Sequence, residues 1–280
     1  ARLDLEQKAG QLFVSWSLSR AVGSGAQNHE KILGWVRDAG LGGVILSLGT
    51  VEDAAGLIPK LQAAAKVPLL LAGDFEGGVW FRLSGATELG NQMLVGATGS
   101  AALAESMGKV TAQEAKALGF HWVFAPVLDV NSNPKNPIIN VRSFGEDPQD
   151  VGRFVAAFVR GVQSAGVIAT VKHFPGHGDT HTDSHRSLPV LSASRERLEQ
   201  MELVPFRAAI AAGVRALAGE VDALLVSDYG YGLVDAEVAG AVRAVQAAGA
   251  KVVVDPRRTL EPFHGVDAIT PNLGELASIT

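Results

Sequence analysis

Residues able to do chemistry crowd into one stretch, KHFPGHGDTHTDSHRSLP at 172–189, which holds four of the seven histidines. His173, His177, His181 and His185 recur every four residues, a spacing that on a helix would line up a metal-binding stripe. Pro175, Gly176 and Gly178 oppose a continuous helix there, so a histidine-rich loop bonded to itself is the plainer alternative. The cluster Asp183-Ser184-His185 adds a second possibility. A carboxylate beside an imidazole fixes its tautomer and raises its basicity, which makes a proton shuttle near neutral pH.

Other polar groups gather in AGDFEGGVWFR, with Asp74, Glu76 and Arg82, and in FAPVLDVN, with Asp129 and Asn131. Arg142 follows in the loop NPKNPIINVRSFGEDP, and Lys172 precedes His173. Charged groups of this kind orient a ring of neighbouring hydroxyls through paired hydrogen bonds. Asp74 and Arg82 could instead form a salt bridge that props open a barrel mouth, and Lys172 could be a solvated strand-end lysine. Glu76 is read as a residue that orders the Gly77-Gly78 turn and is not counted in the site.

These residues stand at the ends of apolar runs. Eight such runs, at 12–16, 43–47, 68–74, 122–130, 167–174, 223–228, 251–255 and 268–271, are apolar on both faces and read as buried parallel strands. Helical periodicity fills 28–39, 51–66, 101–118, 148–165, 194–212 and 235–248, with several segments stopping at glycine. The alternation predicts an α/β fold, a (β/α)8 TIM-type barrel in one domain over 1–280, with function at the C-terminal strand ends. An open doubly wound sheet is the alternative. The segment RRTLEPFHGVD is short and carries two breakers, so the seventh helix is expected to be stunted, and 272–280 leave little room for an eighth.

The 280 residues suit one barrel, and the absence of cysteine excludes disulfides and thiolate metal sites. A net charge of −5 with no basic run argues against nucleic-acid binding, and no apolar stretch approaches a membrane span. A cytoplasmic protein without cofactor or metal is expected. An unfinished barrel wall also predicts burial against a second copy, hence a homodimer.

The ordered motifs AGDFEGG, FAPVLDVN, RSFGEDP and KHFPGHGDTHTDSHRSLP resemble glycoside hydrolase family 3, in particular its β-N-acetylglucosaminidases. The resemblance covers about residues 4–213. It implies a retaining mechanism on a barrel acting on an N-acetylglucosamine-containing saccharide, with His185 as acid/base and Asp183 as its partner. It further implies that Asp74, Lys172 and His173 hold sugar hydroxyls and that Arg82 and Arg142 sit at the sugar-binding rim.

After Gly213 the pattern changes. DALLVSDYGYGLV, KVVVDPR and DAITPNLGELASI resemble PfkB or ribokinase-like sugar kinases, without that family's Gly-Ala-Gly-Asp catalytic segment. The joint reading is a hybrid barrel, five βα units of glycosidase type (1–213) and three of kinase type (214–280), engineered rather than natural. The glycosidase family's nucleophile motif is missing; by strand order Asp255 takes that place, with Asp228 as the other candidate. The expected function is therefore a β-N-acetylglucosaminidase, impaired if Asp255 is misplaced. The alternative is an inactive chimeric scaffold with at most weak sugar binding.

Overall fold

Short parallel strands carry the fold, and their alternation with helices follows the sequence closely. The computed structural model describes residues 3–20, 24–182, 190–191, 193–228, 233–256 and 263–269. Its strands are β1 Val14–Leu18, β2 Gly43–Ser47, β3 Gly49–Thr50, β4 Leu70–Gly73, β5 Leu83–Ser84, β6 Trp122–Val123, β7 Ile168–Ala169, β8 Ala223–Asp228, β9 Lys251–Pro256 and β10 Ala268–Ile269. The helices are α1 Leu5–Gly10, α2 Ser24–Gly34, α3 Val51–Ala64, α4 Gln92–Ala97, α5 Ala101–Leu118, α6 Pro148–Ser164, α7 Arg195–Gln200, α8 Leu203–Arg215 and α9 Ala236–Ala247.

Five strands form one parallel sheet in the order β1-β2-β4-β6-β7. One register row runs straight across it through Trp16, Ile45, Ala72, Trp122 and Ile168. Chain order equals spatial order, as successive right-handed βα units require. A second parallel sheet, in the order β10-β9-β8, follows the same rule. β3 and β5 pair separately, at the loops that leave β2 and β4.

A single ring of eight hydrogen-bonded strands is therefore not what the described residues form: no ladder joins β7 to β8 or β10 to β1 among them. What spans the two sheets is helical. α8 packs against α6 on one side and α9 on the other. Ala211 of α8 shares a small buried cluster with Val238 and Ala241 of α9. The main core lies between the first sheet and α2 through α6, with Phe75, Phe120 and Phe158 fully buried. Val242, Val252, Val254 and Phe263 make a separate core under the second sheet.

Two of the expected strands shrink to two-residue ladders. In FAPVLDVN, Pro126 has no N–H to donate, and past it the chain keeps contact with its neighbour through the single bridge Val127–Lys172. Leu128 N–H still donates to Lys172 C=O, and Lys172 N–H to Pro126 C=O. The expected helix 194–212 is broken at Met201 and Glu202 into α7 and α8. Between β9 and β10 no α-helix occurs among the described residues, in line with the breakers in that segment.

Local signals set the helices that matter for the site. α6 begins at Asp147, whose carboxylate accepts from Gln149 N–H and Asp150 N–H at 2.9 and 3.0 Å, with Pro148 in the first turn. α5 stops at Gly119, which takes φ 97°. α5 and α6 then press together over Gly108 and Gly161. A Cβ on Gly161 would lie 2.1 Å from Glu105 O, and one on Gly108 2.3 Å from Phe158 O.

Candidate active site

The C-terminal ends of β4, β6 and β7 deliver the charged groups to one place. Asp74 follows β4 directly, Asp129 lies in the extended segment after β6, and Lys172 and His173 follow β7. Arg142 closes the 3-10 turn Asn140–Arg142 in the loop after β6. The peptide bond between Lys172 and His173 is cis, as is that between Phe174 and Pro175.

Glu76 is the hub. Its side chain is only 3% exposed, and both of its oxygens accept from the Arg142 guanidinium at 2.8 Å. Lys172 Nζ lies 2.7 Å from Glu76 Oε1 and also contacts Asp74. Asp74 in turn pairs with Arg82. Burial alone would push the Glu76 carboxyl up. The Arg142 hydrogen bonds and the Lys172 charge outweigh that effect and hold it at about 2. For Arg142, burial works toward loss of the proton, but the Glu76 bonds win and raise its pKa above the ordinary guanidinium value. The reading of Glu76 as a mere turn residue is thus corrected: it accepts from two of the expected sugar-binding cations. The Asp74–Arg82 salt bridge is present, and Lys172 is no solvated strand-end lysine.

His173 is oriented from both sides. Its Nδ1 lies 2.6 Å from Asp129 Oδ2, and its Nε2 lies 3.3 Å from Arg142 Nη2. A carboxylate can only accept and a guanidinium can only donate, so Nδ1 is the ring nitrogen that donates, to Asp129. The fully buried Asp129 carboxylate also accepts from His177 N–H at 2.6 Å. His177 itself is buried, and its Nδ1 contacts the Thr180 hydroxyl, which donates to His177 C=O at 2.9 Å. Burial pushes its imidazole pKa below 6.5, against the opposing pull of Asp129.

Asp129, which sequence reading placed at a strand end without a role, holds the backbone of 173–177. Asn136 carries no sequence signal beyond its place in the loop. Its buried amide donates to three carbonyls of the histidine loop, those of His177 at 2.7 Å and of Gly178 and Thr180 at 3.1 Å. Among the described residues, His173, His177 and His181 lie outside any helix and form no metal stripe. His177 bonds to Thr180 and His181 to Asn133, and the described residues contain no cluster of three metal-type ligands.

The expected proton-transfer pair, Asp183 and His185, lies outside the described residues, as does the side chain of Asp255. The Asp255 backbone lies opposite Ser227 of β8, one residue before the end of β9, and Asp228 ends β8 opposite Pro256. The structure thus brings together Asp74, Arg82, Arg142, Lys172 and His173, and adds Glu76 and Asp129. Asp255 sits on the second sheet.

The family model described as "Glycosyl hydrolase family 3 N terminal domain" matches residues 4–223. A "Beta-N-acetylglucosaminidase/beta-glucosidase" of Cellulomonas fimi is 38% identical over 216 residues, 77% of this chain and 37% of that protein. A "Beta-hexosaminidase" of Stenotrophomonas maltophilia is 36% identical over 216 residues, covering 74% of this chain and 62% of its own length. The chain therefore spans between about a third and two thirds of the length of these relatives. Among solved structures, a family 3 β-N-acetylglucosaminidase of Paenibacillus aligns with 99% of this chain and 57% of its own, at 34% identity and a TM-score of 0.69. A Neisseria gonorrhoeae structure, described as in complex with N-trifluoroacetyl-D-glucosamine, covers 94% of this chain and 82% of its own, at 27% identity and a TM-score of 0.58. With the family model matched over most of its length and an ion-pair cluster at the strand ends, the chain belongs to the glycosyl hydrolase family 3 N-terminal domain family.

Proposed function

We propose that this chain carries the sugar-binding and proton-transfer part of a retaining β-N-acetylglucosaminidase. The observation that carries the reading is the composition of the cluster. Three carboxylates (Asp74, Glu76, Asp129) meet three fixed cations (Arg82, Arg142, Lys172) around the imidazole of His173. Such a set has no excess charge for an ionic ligand, yet offers many strong donors and acceptors, which suits an uncharged ring of hydroxyls. The names of the relatives supply the sugar class, N-acetylglucosamine.

In this reading Asp74, Lys172, His173 and Arg142 hold the non-reducing sugar, with Arg82 behind Asp74. By motif, His185 protonates the leaving oxygen, oriented by Asp183; by strand order alone, Asp255, with Asp228 as the other candidate, attacks the anomeric carbon. His185 then takes the proton from water as the glycosyl-enzyme is hydrolysed. A retaining mechanism needs the nucleophile and the acid/base group only about 5 Å apart. The test is release of nitrophenol from an aryl N-acetyl-β-glucosaminide. Turnover by the unaltered chain, reduced at least about 100-fold in His185→Ala and in Asp255→Ala, is expected. No turnover, or turnover that survives both substitutions, refutes it.

A second reading is favoured by one observation. Asp255 lies beyond the family match, on a sheet that shares no ladder with the sugar-site strands among the described residues. The resemblance of 214–280 to PfkB-type kinases belongs to this reading, in which a hybrid barrel binds N-acetylglucosamine without cleaving it. Binding of the sugar with cooperative unfolding and no nitrophenol release would favour it.

A further inference from the structure

We propose that Asn136 is a positioning residue that sets Arg142 against His173, so that one carboxamide governs the sugar-binding geometry from behind. The inference rests on the sugar-site reading for its consequence, but its geometry is independent of that reading.

Asn136 lies in the loop after β6 and is 3% exposed. Its Oδ1 accepts from Ile138 N–H at 2.9 Å and from Ile139 N–H at 2.7 Å. Those two bonds shape the turn whose Ile138 carbonyl accepts from Arg142 Nη1 at 3.0 Å. The carboxamide oxygen is therefore one residue contact away from the guanidinium that pairs with Glu76.

The other end of the same side chain faces the opposite loop. Nδ2 has two hydrogens to share among the carbonyls of His177, Gly178 and Thr180. Those residues continue the chain from 173–177, where His177 N–H and His173 Nδ1–H both end on the Asp129 carboxylate. Gly178 has no room for adjustment here, because a Cβ would fall 1.7 Å from Val130 O. The histidine loop is thus fixed against the β6 segment by backbone contact and by Asn136 together. Arg142 and His173, 3.3 Å apart, are held from either end of one rigid amide.

The role needs both ends of the amide, which separates it from ordinary loop packing. In Asn136→Asp the acceptor facing Ile138 and Ile139 survives, whereas a carboxylate oxygen would face three carbonyls. A carboxyl group that has taken up a proton restores one donor. The charged and titratable groups facing this site are His177, Asp129 and Arg142, together with His181 on its partner Asn133, so each comparison is made with the unaltered chain at the same pH.

The experiment measures N-acetylglucosamine affinity by calorimetry and the imidazole resonances of His173 and His177 by NMR, at pH 7.5 and 5.5. Asn136→Asp is expected to bind about tenfold or more weakly at pH 7.5, with both imidazoles displaced, and to recover partly at pH 5.5. Asn136→Ser keeps an oxygen for the two amides and cannot reach the carbonyls. It is expected to show the same loss without recovery, and it replaces Asn136→Asp if that variant does not fold. Affinity within twofold of the unaltered chain and unmoved imidazole signals overturn the proposal. If the unaltered chain binds no N-acetylglucosamine, the sugar-site reading fails, and the NMR comparison alone still decides the role of Asn136.

Discussion

Glu76 shows how a residue acquires its role from partners distant in the chain. Its bonds to Arg142 span 66 positions, so nothing local in AGDFEGG marks it as more than a turn residue. Asp74, Arg142, Lys172 and His173 were legible because polar residues at the ends of apolar runs are already anomalous. Glu76 and Asn136 were not, since burial and convergence are properties of the folded chain. Removing the Glu76 carboxylate leaves Arg142 and Lys172 without a buried counter-charge. Glu76→Ala is therefore expected to cost about 3–5 kcal/mol in urea unfolding, and to weaken sugar binding as well.

The acid limb of stability carries the same signature. With its pKa held at about 2 in the fold against an ordinary 4.5, Glu76 contributes stability that is fully present above pH 4.5. That contribution, about 3 kcal/mol, is lost as the pH falls from 4.5 toward 2. In Glu76→Gln this part of the profile should flatten, which unfolding free energies at pH 6, 4.5 and 3 would reveal. His177 acts at higher pH. Kept neutral by burial, it adds stability present above its ordinary 6.5 and lost as the pH falls from there through its lowered value in the fold.

At the scale of elements, helices were easier to read than strands. The cap at Asp147 and Pro148 and the stop at Gly119 are local signals, and α5 and α6 fall where periodicity put them. The long apolar runs at 122–130 and 167–174 read as full strands, but pair as two-residue ladders with an irregular continuation. Hydropathy reports burial, and it does not report which backbone groups find partners. The close contact of α5 with α6 is specific enough to test. Gly161→Ala puts a methyl group 2.1 Å from Glu105 O and should cost about 1–3 kcal/mol, read as a lowered thermal midpoint. Gly213→Ala, on the adjoining helix with no atom nearer than 3.6 Å, is its control and should melt close to the unaltered chain.

At the scale of the whole molecule, the eight strands that the two larger sheets contain among the described residues were legible, and the ladders between them were not. Strand number is written in alternation. Whether the first and last strands meet depends on tilt and register accumulated around the ring, to which no residue pattern corresponds. Among the described residues β1 pairs only with β2, and its Val14 and Trp16 are 39% and 47% exposed, next to Leu12 and Phe13. An exposed apolar strand at a sheet edge is a surface on which another chain can pair. A homodimer is therefore expected, with a light-scattering mass twice the 29.2 kDa of one chain that returns to 29.2 kDa in Trp16→Lys. A single-chain mass for the unaltered protein would reject it.

The cluster of Asp74, Glu76, Asp129, Arg82, Arg142 and Lys172 cancels its own charge over a few ångströms. A self-cancelling set projects almost no field into the solvent, so these six groups neither steer an uncharged ligand inward from afar nor repel it. Capture is left to unguided diffusion, and added salt has little to screen. The rate at which the mouth fills should thus be nearly the same in dilute buffer and in brine.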